Sequence, residues 1–145
     1  MTLYRHILAA IDLTDEADAV LKKAKSLAQQ NGATLMIAHA IEPLALAYGS
    51  DIPLELSTLQ EEISNHAKKR IKTLAESVQV EDAAQHIVYG RPDKEVHRLA
   101  AELNVDLVVV GSHGRHGLAL ILGSTSTSIL HGATCDVLAI RVGHS

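Results

Sequence analysis

An α/β fold, with a five-stranded parallel sheet and helices packed on both of its faces, is what the sequence predicts, and three observations predict it. Short, continuous apolar runs alternate along the chain with longer stretches whose apolar residues recur at helical spacing. The connections between successive apolar runs are longer than hairpins, as parallel strands require. Each run is oily throughout rather than at every second position, as in strands covered on both faces.

The elements follow in order. His6 to Ile11 (HILAAI) is the first strand. Ala17, Val20, Leu21, Ala24, Leu27 and Ala28 then stripe a helix, with Thr14 or Asp15 placed to cap its start and Asn31-Gly32 placed to stop it. Thr34 to Ile41 (TLMIAHAI) is the second strand, and the prolines and glycine of residues 42 to 53 predict a loop. Leu56, Leu59, Ile63, Ala67, Ile71, Leu74 and Val78 mark a long amphipathic helix. Gln85 to Tyr89 is the third strand, closed by Gly90. Pro92 suits the first position of a third helix, whose buried stripe is Val96, Leu99, Ala100 and Leu103. Asp106 to Val110 (DLVVV) is the fourth strand. A loop and a fourth helix follow, and Asp136 to Val142 (DVLAIRV) is the fifth strand. No repeat and no linker divides the chain, so residues 1–145 are expected to form one domain.

Composition narrows the function. Tyr4, Tyr48 and Tyr89 are the only aromatic residues, so the core must be built from Leu, Ile, Val and Ala. Rings for stacking nucleic-acid bases are therefore lacking, and the net charge of −4 removes the electrostatic footprint of a nucleic-acid partner. No apolar run approaches the roughly 18 residues of a membrane span, and the N-terminus lacks a signal-peptide pattern. The single cysteine, Cys135, is expected to be a buried small residue and cannot form an internal disulfide. A cytoplasmic protein with no membrane partner is expected.

Open α/β sheets bind ligands beyond the carboxyl ends of their strands, where the strand order reverses. Two such ends carry suggestive residues: Asp12 after the first strand, and Gly111-Ser112-His113-Gly114 after the fourth. Asp12 reads either as an acid beside the start of a helix or as an acceptor for a ribose hydroxyl or a metal held through water. The stretch GSHGRHGLALILGSTSTS, residues 111 to 128, is more specific. Glycines let backbone amides approach a phosphate, and Ser124 and Thr125 would offer unpaired amides and hydroxyls at a helix start. The alternative is a plain loop followed by a Ser/Thr cap. Leu118 to Leu122 (LALIL) needs something to pack against: a ligand, a neighbouring subunit or the sheet edge.

Absent motifs matter as well. There is no P-loop lysine motif, no G-x-G-x-x-G after the first strand, no G-x-S-x-G, and no receiver-domain set of acids and lysine. Among nine histidines, His113 and His116 stand three apart with no carboxylate or thiol nearby. His39, His66, His86 and His97 are scattered over separate elements and are expected to be solvated or core residues, so no metal site is expected.

Over essentially its whole length the chain resembles the universal stress proteins. The resemblance is carried by HILAAID, AHAIE, the YGRP turn, DLVVVGSHGR leading to GST, and DVLAIRV. It implies a Rossmann-like sheet of the adenine nucleotide alpha hydrolase type, in the order 3-2-1-4-5, and a homodimer joined through the last strand. One branch of that family binds ATP through G-x2-G-x9-G-[ST]. Carried onto this chain, Gly111, Gly114, Gly123 and Ser124 would hold the phosphates and ribose, with Thr125 following at the phosphate. Ala10, Ile11, Asp12, Ala40 and Val110 would surround the adenosine, and Mg2+ would accompany ATP. Residues 115 to 122 make a spacer of eight where that pattern has nine, similar to the branch that does not bind ATP. The second and third glycines, which that branch usually replaces, are nevertheless present.

The fifth strand supports the dimer independently. It is apolar on both faces, with only Arg141 to blunt it, and an unpaired edge of that kind templates pairing with another chain. Three functions are thus in contention: a dimeric regulator of stress response that binds ATP or AMP, a dimeric interaction module without nucleotide, and a slow ATPase. No catalytic residue is assigned, because only Asp12 or His113 could serve as a base.

Overall fold

A computed structural model of the protein describes residues 3–42, 54–113, 129–130 and 132–142. Its strands are β1 (His6–Ala10), β2 (Thr34–Ile41), β3 (Ala84–Tyr89), β4 (Leu107–His113) and β5 (Asp136–Val142). Its helices are α1 (Ala17–Asn31), α2 (Leu54–Ser77) and α3 (Pro92–Glu102). The strands form one sheet in the order β3-β2-β1-β4-β5, and every neighbouring pair is parallel. The expected fold class and strand order are both borne out.

Successive strand residues point to opposite faces of a sheet, and here both faces are covered. Ile7, Ala9, Ile37, Leu107 and Val109 pack against Val20, Leu21 and Ala24 of α1 and Ile71, Leu74 and Ala75 of α2. Leu8, Met36, Ala38, Val108 and Val110 face the other way, onto Val96, Leu99 and Ala100 of α3 and onto Ile129. Two cores back to back explain why Ile7 to Ala10 of β1 and Leu107 to Val110 of β4 are apolar on both faces.

Several polar groups tie the amino ends of the strands. The Asp106 carboxylate accepts from the N–H groups of Arg5 and His6 at 2.9 and 3.1 Å. Asn31 accepts from Leu3 N–H at 2.9 Å and donates to the Leu27 carbonyl at 2.8 Å. Gly32 closes α1 in the left-handed region, at φ 64°, and the Ala33 N–H returns to the Ala28 carbonyl at 2.8 Å. That end is the one Asn31-Gly32 predicts.

The other end of α1 corrects the expectation. Neither Thr14 nor Asp15 is the cap; the helix starts after Glu16, which makes no side-chain capping bond. Thr14 turns back on Asp12 instead, donating its hydroxyl and its N–H to Asp12 Oδ1 at 2.6 and 3.1 Å. Asp15 pairs with Arg70 at 2.9 Å. A local side-chain turn takes the polar atoms before the helix can use them.

Strand ends differ from the apolar runs in a way that shapes the molecule. β4 continues past Val110 through Gly111, Ser112 and His113, which lie opposite Ile140, Arg141 and Val142 of β5. Ladder pairing is made by backbone, so it outlasts the apolar side chains. β1 stops at Ala10, one residue short of the predicted Ile11. Of the fourth predicted helix, only Ile129 and Leu130 are among the described residues, and both are helical.

Candidate functional site

β1 is the short central strand, and its two neighbours both run past it. Its ladder with β4 ends at Ala9 opposite Val109, while its ladder with β2 reaches Ala10 opposite Ala38. Beyond those pairs the sheet splits at the point where its strand order reverses. A crevice of about 160 Å³ occupies the split. Ala10 lines it from the end of β1, Ile11 and Asp12 from just beyond it, Ala38, His39 and Ala40 from β2, and Val110 and Gly111 from β4. Glu16 enters from just before α1, Ala17 and Val20 from its first turn, Pro92 and Val96 from α3, and Ile129 completes the described lining.

Small side chains make the space: four alanines and a glycine stand where larger residues would fill the split. The volume lies below the roughly 300 Å³ at which whole-ligand pockets begin, and near the ~150 Å³ that holds one aromatic ring. This part of the site therefore has room for a flat ring.

The polar groups are few and oriented. Thr14 occupies Asp12 Oδ1 twice, which aims the carboxylate and leaves Oδ2 to accept from a ligand. His39 Nδ1 lies 2.8 Å from the Ile11 carbonyl, and the Ile11 N–H donates to the Ala38 carbonyl at 2.9 Å. Asp12 and Glu16 are acids, and no lysine or arginine is among the described lining residues. Among the described lining residues, donors for an anion are therefore main-chain amides rather than cationic side chains. Among the described residues no group of three or more His, Cys, Asp or Glu could hold a metal.

Six residues singled out in the sequence come together here: Ala10, Ile11, Asp12, Ala40, Val110 and Gly111. Gly114, Gly123, Ser124 and Thr125, with the run LALIL, lie outside the described residues. Sequence reading missed the walls contributed by Ala17, Val20 and Val96, which it assigned to core stripes. The usable signal was their place in the first turn or two of their helices, since a parallel α/β fold brings helix starts to the carboxyl end of the sheet. His39 was missed too, having been grouped with the solvated and core histidines.

The family model for the universal stress protein family matches residues 3–141. The chain belongs to the universal stress protein family. Universal stress protein A homolog 1 of Coxiella burnetii is 44% identical over 138 residues, covering 94% of this chain and 96% of that one. Among solved structures, the universal stress protein UspA from Lactobacillus plantarum superposes with a TM-score of 0.79 at 26% identity, covering 95% of this chain and 98% of its own. A universal stress protein solved in complex with cAMP is also similar, with a TM-score of 0.63, 25% identity, and 94% and 96% of the two chains covered. No helix among the described residues of this universal stress protein is long and apolar enough to cross a membrane.

Proposed function

We propose that this universal stress protein binds an adenine nucleotide, ATP or AMP, in the crevice between β1 and β4. In this reading it acts in the cytoplasm as a dimeric regulator of stress response. The observation that carries the reading is the crevice itself: a ring-sized apolar slot at the switch point, with one aimed carboxylate at its mouth. The base would lie in the slot between the Ala40 and Val110 sides, and Asp12 Oδ2 would accept from a ribose hydroxyl. Gly111 would lead the phosphates toward Gly114, Gly123, Ser124 and Thr125, with Mg2+ accompanying ATP. A relative that holds cAMP, another adenine nucleotide, supports the ligand class.

The whole chain, residues 1–145, would act as one domain, paired with a second copy through β5. No catalytic residue is assigned, and turnover of ATP is at most slow. The eight-residue spacer between Gly114 and Gly123 favours a second reading, an interaction module that binds no nucleotide. Isothermal titration with ATP and AMP, each with and without Mg2+, separates the two. Saturable heat at submillimolar nucleotide is expected, and its absence for both nucleotides overturns the first reading.

A further inference from the structure

We infer that His39 is a positioning residue for this site, locking the Ile11–Asp12 peptide so that the Asp12 N–H faces the split between β1 and β4. The inference rests on the nucleotide reading and deepens it.

The geometry begins where β1 ends. The Ile11 N–H still donates to Ala38 at 2.9 Å, so Ile11 directs its backbone groups toward β2. Its carbonyl lies beyond the last ladder pair, Ala10 opposite Ala38. His39 Nδ1 reaches that carbonyl at 2.8 Å, a side chain extending the ladder by one rung. A carbonyl oxygen can only accept, so Nδ1 must carry the proton, and in the neutral ring Nε2 is left as an acceptor.

Peptide planarity carries the effect to the next residue. The carbonyl of Ile11 and the N–H of Asp12 belong to one trans peptide and point in opposite directions. With the carbonyl held toward β2, the N–H is turned toward β4. The β1–β4 ladder has already ended at Ala9 opposite Val109, so this donor looks into the crevice beside Gly111. The same lock sets the start of the turn in which Thr14 aims the Asp12 carboxylate. Where the described lining residues include no lysine or arginine, backbone donors of this kind matter to an anionic ligand. Losing the His39 bond frees the peptide to rotate and takes the donor away.

Asparagine places an amide N–H close to where Nδ1–H stands, whereas leucine fills space without a donor. Titrating ATP and AMP into the wild type, His39→Asn and His39→Leu is therefore the test, with melting temperatures measured in parallel. His39→Asn should bind within about threefold of the wild type, and His39→Leu should lose about tenfold or more. Equal affinity of His39→Leu and the wild type overturns the inference, and so does an equal loss in both variants. A second readout needs no ligand: a long-range proton–nitrogen spectrum near pH 8, about where an ordinary imidazole is neutral. It should show His39 as the Nδ1–H tautomer; the Nε2–H tautomer overturns the lock. If the wild type binds neither nucleotide, the functional reading falls, and the lock stands or falls on the tautomer.

Discussion

Asp12 lines the crevice while its Oδ1 holds the Thr14 hydroxyl and N–H. The turn with Thr14 uses one oxygen, so a place before the helix is compatible with the proposed acceptor role. Asp12→Ala should weaken ATP or AMP binding by about tenfold or more, given the ~1.5–3 kcal/mol of a hydrogen bond to a charged group. Titration calorimetry checks it, and unchanged affinity would remove Asp12 from the site. Cys135, expected to be buried, is half-buried just before β5. Burial pushes its thiol up, the nearby carboxylates of Asp136 and Asp106 add to this, and a backbone hydrogen bond at Val108 opposes them. A raised thiol carries less thiolate at pH 8 than a free cysteine does. Alkylation by iodoacetamide at that pH should be slower in the native protein than in urea, and equal rates would contradict the shift.

At the scale of elements, two glycines show how turns set the site. Gly90 has φ 147° and its N–H donates to the Ile41 carbonyl at 2.9 Å, joining the ends of β3 and β2. A Cβ there would stand 2.9 Å from Glu95 Cγ, so a substitution adds crowding to backbone strain. Gly32, at φ 64°, has open space around it, and only the left-handed backbone opposes a side chain. Gly90→Ala should cost about 1–3 kcal/mol and Gly32→Ala about 1 kcal/mol, read as shifts in urea midpoint. The reverse ranking would mean that the Gly90 turn relaxes at no cost. Gly90 also leads into Pro92 and Val96, which form one wall of the crevice, so Gly90→Ala should disturb ligand binding as well. The end of α1 was legible because Asn31-Gly32 directly follows the apolar stripe that ends at Ala28, where a glycine supplies the left-handed stop. Its start was not, because a threonine hydroxyl serves a local turn as readily as a helix cap.

For the whole molecule, the open question is what covers the sheet edge. β5 ends the sheet on one side, and its Ala139 is exposed while Leu138 and Ile140 are half-buried. If a second copy pairs along this edge, a lysine there should block it, since charged side chains blunt exposed strands. The wild type should elute as a dimer by size-exclusion chromatography with light scattering, and Ala139→Lys as a monomer. A monomeric wild type would overturn the proposed homodimer. The parallel order β3-β2-β1-β4-β5 puts β1 at the centre, and that placement creates the split.

Local patterns determined most of the architecture. Continuous apolar runs, helical stripes, Gly32, Gly90 and Pro92 are short-range signals, and each appears in the fold where the sequence put it. Asp12 and Gly111 were legible as neighbours because strand ends in such a sheet converge. The register was not legible: that β1 leaves β4 after Ala9, and that β4 then continues with β5, depends on which backbones meet across the sheet. The role of His39 was hidden for the same reason. Its sequence neighbours are strand residues, but its partner, the Ile11 carbonyl, is 28 residues away and belongs to another strand. Sequence determined which segments become strands and helices; only the packed sheet decided which backbone groups remain open at its centre.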